Sequence, residues 1–461
     1  MHIFLIAVFA VILSNSSLAF PVENQQKLWD VPTSEVSYEV IDSYVQGSIQ
    51  VQEINYYSRN YLGQPSKIFG YYCYPTKSEG KLPAILISHG GGGTAVLANT
   101  IVWARRGYAV LAIDLPGKGE QRAGSRSTGP NMDVPTLLTV EPLENNYLIH
   151  AVAATRNGIT FLTMQKEVDV ERIGMVGLSW GGVLTLLTNG QDTRLKTAVN
   201  VFGAGFIPEL STWQERFDDM SSEELALWNK NIDPKNFLAS QHAPILFITG
   251  TNDHCYYLPI FQKTYDQITV DKQLYLVPNL QHKFLPDTQN VVFRWLDDKL
   301  KYNANFPNIF FLSLFKKGEE KLVVSVKATA EKELEDATLY YTIGSPSRWT
   351  KRVWQAKVSY YEDGAFYFGL PTGMIEPEML FFVNVEDISG RISSTPIRSI
   401  LKVHTIKDQE TYAVSEPIKQ INVHEPPLKL LGAKEPEVPE FLKIFFSKTL
   451  NQYHAVEANA D

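Results

Sequence analysis

The strongest chemical signal in the sequence is Gly177-Leu178-Ser179-Trp180-Gly181-Gly182. It follows the apolar run 173–176 and precedes Val183-Leu184-Thr185-Leu186-Leu187, the pattern of a strand, a tight turn and a helix. At such a turn the strand and helix approach too closely for a Cβ, and a serine between glycines is pushed out with its hydroxyl free. The helix that follows brings its positive N-terminal end near any oxyanion formed there. A nucleophilic serine needs a base to take its proton and a carboxylate to orient that base. Asp253, in Thr249-Gly250-Thr251-Asn252-Asp253, stands directly after the apolar run 245–248. His282 follows the run 274–277 through Pro278-Asn279-Leu280-Gln281. The order serine, acid, histidine, each at a strand end, is the order this motif requires. His254 is the rival base, but its adjacency to Asp253 aims it elsewhere, and it is read as solvent-facing or substrate-lining. Asp218 and Asp219 are rival acids on a polar helical segment, read as a solvated face.

Acyl transfer also needs N–H donors for the oxyanion. Ser88-His89-Gly90-Gly91-Gly92-Gly93-Thr94 follows the run 84–87 and is expected to supply one, the Gly91 N–H. Trp180, next after the nucleophile, supplies the second. A phosphate-cradling role for the glycine loop is disfavoured, because no Gly-Lys-Ser/Thr follows it. The nine histidines include no H-E-x-x-H pair. His242, His254 and His282 lack ligand-like spacing, so neither a metal nor a cofactor is expected.

Several elements must hold these residues. Near-continuous apolar runs at 83–87, 109–113, 173–176, 198–201 and 245–248 read as strands buried on both faces. Helical patterns lie between them, as at 147–164 and 291–300, giving a mostly parallel α/β sheet over residues 20–302. About 40 residues separate Phe202 from Ile245, far more than the usual connection of roughly 2–6 residues. They are expected to form a helical, lid-like insertion at 204–243, with Trp213 and Trp228 lining the substrate site. Beyond 303 the pattern becomes β-rich, with period-two alternation at 321–326, and predicts a sandwich of immunoglobulin or fibronectin type over 303–401. Residues 402–461, with five prolines and no clear period, are expected to be an extended tail.

Composition excludes several classes. The 461 residues carry Lys+Arg 42 against Asp+Glu 50, a formal charge of −8, with 44% hydrophobic residues. That balance fits a folded protein and offers no basic footprint for nucleic acid. Two cysteines, Cys73 and Cys255, exclude a disulfide scaffold, while one bridge stays open. The apolar run 3–13 rises only about 16 Å as a helix, too short for a bilayer core of about 30 Å. With Ser17 and Ala19 at peptidase-readable positions it reads as an export signal over 1–19, giving a mature start near Phe20 and a secreted or periplasmic protein. No later stretch is long enough to span a membrane.

The stretch 167–173 leading into Gly177-Leu178-Ser179-Trp180-Gly181-Gly182 resembles secreted α/β hydrolases of the acetyl xylan esterase and dienelactone hydrolase-like group. Arg106-Gly107-Tyr108-Ala109-Val110, running to Asp114-Leu115-Pro116-Gly117, is similar to the same group. Gly250-Thr251-Asn252-Asp253 with Val277-Pro278-Asn279 and His282 also resembles PhoPQ-activated pathogenicity-related proteins. The likeness covers about 48–300. Dienelactone hydrolases proper have cysteine where Ser179 stands, and cephalosporin-deacetylase-type esterases usually have glutamine where Trp180 stands. The resemblance implies an α/β-hydrolase fold and hydrolysis of small or polysaccharide carboxylic esters, acyl groups on carbohydrate among them. The same triad would serve a peptidase or amidase, and a third reading is a binding module on a silenced hydrolase fold. Intact Ser179, Asp253 and His282 weigh against the third.

Overall fold

The computed structural model describes residues 27–414 apart from 119–121, 123, 318–320, 345–348, 372–378 and 407–408. The expected export signal at 1–19 therefore lies outside the described residues. The chain enters through an antiparallel meander of β1 (Tyr38–Gln46), β2 (Ile49–Tyr61) and β3 (Gln64–Pro75). Strand–helix alternation then begins with β4 (Leu82–Ser88), α1 (Leu97–Arg105), β5 (Ala109–Ile113), α2 (Val134–Leu138) and α3 (Tyr147–Thr163). It continues through β6 (Val168–Leu178), α4 (Trp180–Asn189), β7 (Leu195–Val201), α5 (Gln214–Asp218) and α6 (Ser222–Asn231). β8 (Ile245–Gly250), α7 (Leu258–Asp266), β9 (Lys272–Val277) and α8 (Pro286–Asp297) complete it.

These nine strands form one sheet in the order β1-β2-β3-β5-β4-β6-β7-β8-β9. The meander and its junction with β5 are antiparallel, and every pairing from β5 to β9 is parallel. Alternate residues of the central strands serve opposite cores. Leu86, Leu111 and Met175 pack with α3 and α4 on one face. Ile85, Val110 and Val176 pack with α1 and α8 on the other. Both faces are covered, so these strands are apolar at successive positions rather than alternating with polar ones. The result is the α/β-hydrolase architecture, with the C-terminal ends of the parallel strands β6, β8 and β9 on the same edge of the sheet and β7 between β6 and β8.

The C-terminal part is all β. β10 (Asn308–Lys317), β11 (Lys321–Thr329), β12 (Leu334–Thr342), β13 (Gln355–Val358) and β14 (Tyr360–Glu362) come first. β15 (Ala365–Pro371), β16 (Met379–Asp387), β17 (Ile392–Ser394), β18 (Arg398–Ile406) and β19 (Gln409–Val414) follow. One sheet runs β10-β11-β15-β14 and the other β13-β12-β16-β18-β19, with β17 against β16. Leu322, Val324, Phe366 and Phe368 of the first sheet share a core with Leu339, Phe381, Val383 and Ile400 of the second. The expected tail therefore starts too early at 402. β18 runs on to Ile406 and pairs antiparallel with β19, carrying the second sheet to Val414.

The two parts are joined by polar contacts of good geometry. The Arg391 guanidinium makes two bonds to the Asp298 carboxylate, at 2.6 and 2.8 Å, with both side chains buried. β9 is an edge strand of the large sheet, and such an edge is a liability when left bare. Here Leu276 N–H donates to Ser394 Oγ at 2.8 Å, and Asn384 Nδ2 donates to Leu276 O at 3.1 Å.

Candidate active site

Ser179 sits between β6 and α4 with φ 57° and ψ −114°. A non-glycine residue there is strained and is held only by its surroundings. Its N–H donates to Val201 O at 2.8 Å. The flanking glycines make the turn possible: a Cβ on Gly177 would stand 1.8 Å from Gly181 O, and one on Gly181 would stand 2.2 Å from Ser88 O.

Asp253 is fully buried in the loop after β8. Its Oδ1 accepts the N–H groups of Cys255 and Tyr256 at 2.7 and 3.0 Å, which fixes the plane of the carboxylate. The other oxygen, Oδ2, lies 2.8 Å from His282 Nδ1, and His282 Nε2 lies 2.9 Å from Ser179 Oγ. A carboxylate only accepts, so Nδ1 carries the proton and Nε2 of the neutral ring is left to accept from the serine hydroxyl. Phe202 packs against the imidazole, with ring centroids 4.7 Å apart. Burial disfavours the imidazolium, but the charge and hydrogen bond of Asp253 outweigh it and raise His282 well above its ordinary value. His254, the rival base, is exposed, and its ring centroid lies 5.8 Å from that of His282. Asp218 and Asp219 are exposed on the outer insertion.

The glycine loop lies against this elbow. Gly93 N–H donates to Gly90 O at 3.0 Å, and a Cβ on Gly91 would stand 2.7 Å from the Trp180 ring. Trp180 is the first residue of α4, where the backbone N–H has no partner within the helix. Three residues that sequence reasoning passed over hold the loop. His89 Nδ1 donates to Gly90 O at 2.6 Å, and its Nε2 accepts from Leu115 N–H at 3.0 Å. Burial, aided by the nearby Arg122, lowers His89 to about 3, so it is a neutral strut and not a second base. Buried Arg122 donates to Gly93 O, Pro116 O and Leu115 O at 3.0, 3.0 and 2.7 Å. Asp114 accepts from Ala95 N–H at 2.5 Å and from Arg126 N–H at 2.8 Å. His89 stood inside the motif as read, but nothing local marks Arg122 as a buried residue.

The two tryptophans expected to line the substrate part company. Trp213 is half-buried and packs on Trp180 and Tyr256, with centroids 5.0 and 5.1 Å away. Trp228 is fully buried, with Nε1 donating to Leu137 O at 3.1 Å and its ring against Phe217 at 4.6 Å. Its substrate-lining assignment is therefore corrected to a core one, because α6 turns its aromatic face inward and its charged face out. Both cysteines are free. Cys73 is buried on β3, and burial pushes its thiol up to about 12. Burial would raise Cys255 too, but hydrogen bonds with His254 and His282 bring it below its ordinary value.

The C-terminal sheets contribute to the site through residues 349–354. Trp349 Nε1 donates to Thr251 O at 2.9 Å. Asn252 Nδ2 donates to Thr350 O at 2.9 Å and to Arg352 O at 2.7 Å. Asn279 and the Trp354 backbone exchange two bonds of 2.8 Å. The loop of Asp253 and the loop of His282 are thus gripped by one segment.

Residues 21–299 match the family model described as acetyl xylan esterase (AXE1). The chain belongs to that family. This acetyl xylan esterase family member is 23% identical over 253 residues to acetyl esterase Axe7A of Xylanibacter ruminicola, a match covering 51% of this chain and 56% of that one. It spans about half the length of the curated relatives it matches. Two solved structures share its fold at TM-score 0.51. Acetyl xylan esterase 1 from Thermoanaerobacterium sp. JW/SL YS485 is 18% identical and covers 59% of this chain and 93% of its own. The acetyl xylan esterase from Paenibacillus sp. R4 is 22% identical and covers 60% and 93%. The family match ends before β10, so the C-terminal sheets fall outside it. Among the described residues no helix is long and apolar enough to cross a membrane.

Proposed function

We propose that this acetyl xylan esterase family member hydrolyses carboxylic esters through Ser179, His282 and Asp253, removing acyl groups from carbohydrate hydroxyls. The observation that carries this reading is the unbroken chain from Ser179 Oγ through His282 to Asp253 at a strained serine turn. Ser179 Oγ attacks the ester carbonyl while its proton passes to His282 Nε2. The carbonyl oxygen becomes an oxyanion facing the N–H groups of Trp180 and Gly91. On collapse, His282 returns the proton to the departing alcohol and an acyl-Ser179 ester remains. Water, deprotonated by the same nitrogen, adds to that ester, and its collapse releases the acid and restores Ser179. Asp253 stays ionised and stabilises the imidazolium.

The carbohydrate assignment draws on the activities for which the family and its relatives are named. We read residues 1–19 as an export signal, so N-terminal sequencing of protein recovered outside the cytoplasm is expected to start near Phe20, and an intact Met1 would overturn that reading. A fluorophosphonate probe is expected to label Ser179 alone, and turnover of p-nitrophenyl acetate and acetylated xylo-oligosaccharides to exceed that of aminoacyl anilides. Preference for the anilides would make the chain an amidase, and absence of labelling would make it a binding module.

Trp213 tests the outer wall of the site. Trp213→Ala should raise KM for an acetylated oligosaccharide severalfold and leave p-nitrophenyl acetate nearly unchanged, since only the larger substrate reaches that ring. Equal losses on both substrates with a lower Tm would assign Trp213 to packing.

A further inference from the structure

Cys255 stands two residues after Asp253 and takes no part in the proposed acyl transfer. One ligand atom each from Asp253, Cys255 and His282 lie within 4.8 Å of one another. His254 is the residue next to Cys255, and its ring centroid lies 5.8 Å from that of His282. Asp253 is buried, Cys255 and His282 are half-buried and His254 is exposed, so the group opens to solvent on one side. Cys73, the other cysteine, is fully buried within β3.

A thiolate, two imidazoles and a carboxylate form a donor set suited to zinc and other thiophilic divalent cations. Zinc bonds of about 2.0–2.3 Å place tetrahedral ligand atoms about 3.3–3.8 Å apart.

We propose that Cys255 and His282, with His254 and Asp253, form an inhibitory site for a thiophilic divalent cation such as zinc. Both ring nitrogens of His282 are already engaged, Nδ1 with Asp253 and Nε2 with Ser179. Ligation at either nitrogen removes one of those hydrogen bonds and takes the base away from the serine. The thiol proton leaves to solvent as the cation enters; where Nδ1 is the ligand, its ring proton is taken up at Nε2, which then no longer accepts from Ser179, and a chelator reverses the exchange. The inhibitory effect rests on the proposed ester hydrolysis, whereas binding of the cation does not.

The full chain, stripped of metal with EDTA and dialysed, is titrated with Co²⁺ and with Zn²⁺. One equivalent of Co²⁺ is expected to give a thiolate-to-cobalt charge-transfer band, which Zn²⁺ abolishes. Zn²⁺ at the same stoichiometry should lower p-nitrophenyl acetate turnover at least tenfold, with recovery on adding EDTA. Cys255→Ser should show no band and, measured against its own metal-free turnover, need at least tenfold more zinc for equal inhibition. Cys73→Ser should keep the band. Ser179→Ala, which cannot turn over, should also keep it, so the site is readable independently of the ester-hydrolysis reading. Lack of a band in the wild-type chain, or zinc inhibition unaltered in Cys255→Ser, overturns the site. A band with undiminished turnover overturns its inhibitory role.

Discussion

Ser179→Ala is expected to lower kcat by roughly 10⁵- to 10⁶-fold with Tm close to wild type. The loss is large because nucleophile, base and carboxylate act as a unit, and removing one forfeits most of what all three supply. The stability change is small because one hydroxyl at the site mouth contributes little packing. His282→Ala should lose about as much. Asp253→Asn should lose about 10⁴-fold, since an amide donating to Nδ1 leaves the proton on Nε2, facing Ser179. The pH profile adds a sign that packing cannot mimic. The imidazole must be neutral to take the serine proton, and burial lowers its pKa while Asp253 raises it further. Wild-type kcat/KM should therefore rise with pH along a limb above the ordinary histidine value of about 6.5. In Asp253→Asn the burial effect is opposed only by the Cys255 side chain, and the residual activity should rise along a limb shifted to lower pH than in wild type. Retention of most activity in His282→Ala with loss in His254→Ala would transfer the base to His254.

What was legible in the sequence follows from where each constraint lies. The serine turn is local: Gly177 and Gly181 leave no space for a Cβ, and that exclusion is written within five residues. Strands buried on both faces are legible because the two cores demand apolar residues at consecutive positions. The entry meander gave no such signal, since most of β1 is exposed and its pairing partner is all it needs. Trp228 illustrates another limit. A tryptophan in a charged ten-residue helix suits a lid or a core equally, and the contact that decides, Leu137 O, lies 91 residues away. The end of β18 beyond 401 and all of β19 read as tail in the sequence because Lys402, His404 and Thr405 carry no apolar period, and the order there comes from cross-strand pairing. The grip of residues 349–354 on the acid and histidine loops is likewise non-local, and it gives the C-terminal sheets a role that composition could not suggest.

That grip makes the second large expected effect. Asn252→Ala removes three side-chain hydrogen bonds one residue before Asp253, two donated to Thr350 O and Arg352 O and one accepted from Thr251 Oγ1. The carbonyls left without a partner each cost about 1–3 kcal/mol where they stay buried, so Tm should fall. A structural loss alone would end there. Because Asp253 sets the tautomer and direction of His282, a shift of its loop misaligns Nε2 from Ser179, and a misplacement of about 1 Å costs on the order of 100-fold in rate. Asn252→Ala should therefore lower kcat for p-nitrophenyl acetate 10- to 100-fold while KM changes little. Asn384→Ala supplies the comparison. It removes a bond between the same two parts of the chain, from Asn384 Nδ2 to Leu276 O, but on β9 rather than on a loop that carries Asp253 or His282. It should lower Tm with kcat close to wild type. Trp349→Phe, which keeps a ring but removes the donor to Thr251 O, should resemble Asn252→Ala in kcat. If all three variants lose Tm alike and keep kcat, the segment 349–354 is a structural joint only. If kcat falls in Asn252→Ala and Trp349→Phe but not in Asn384→Ala, the C-terminal sheets hold the acid of the triad in register with its base.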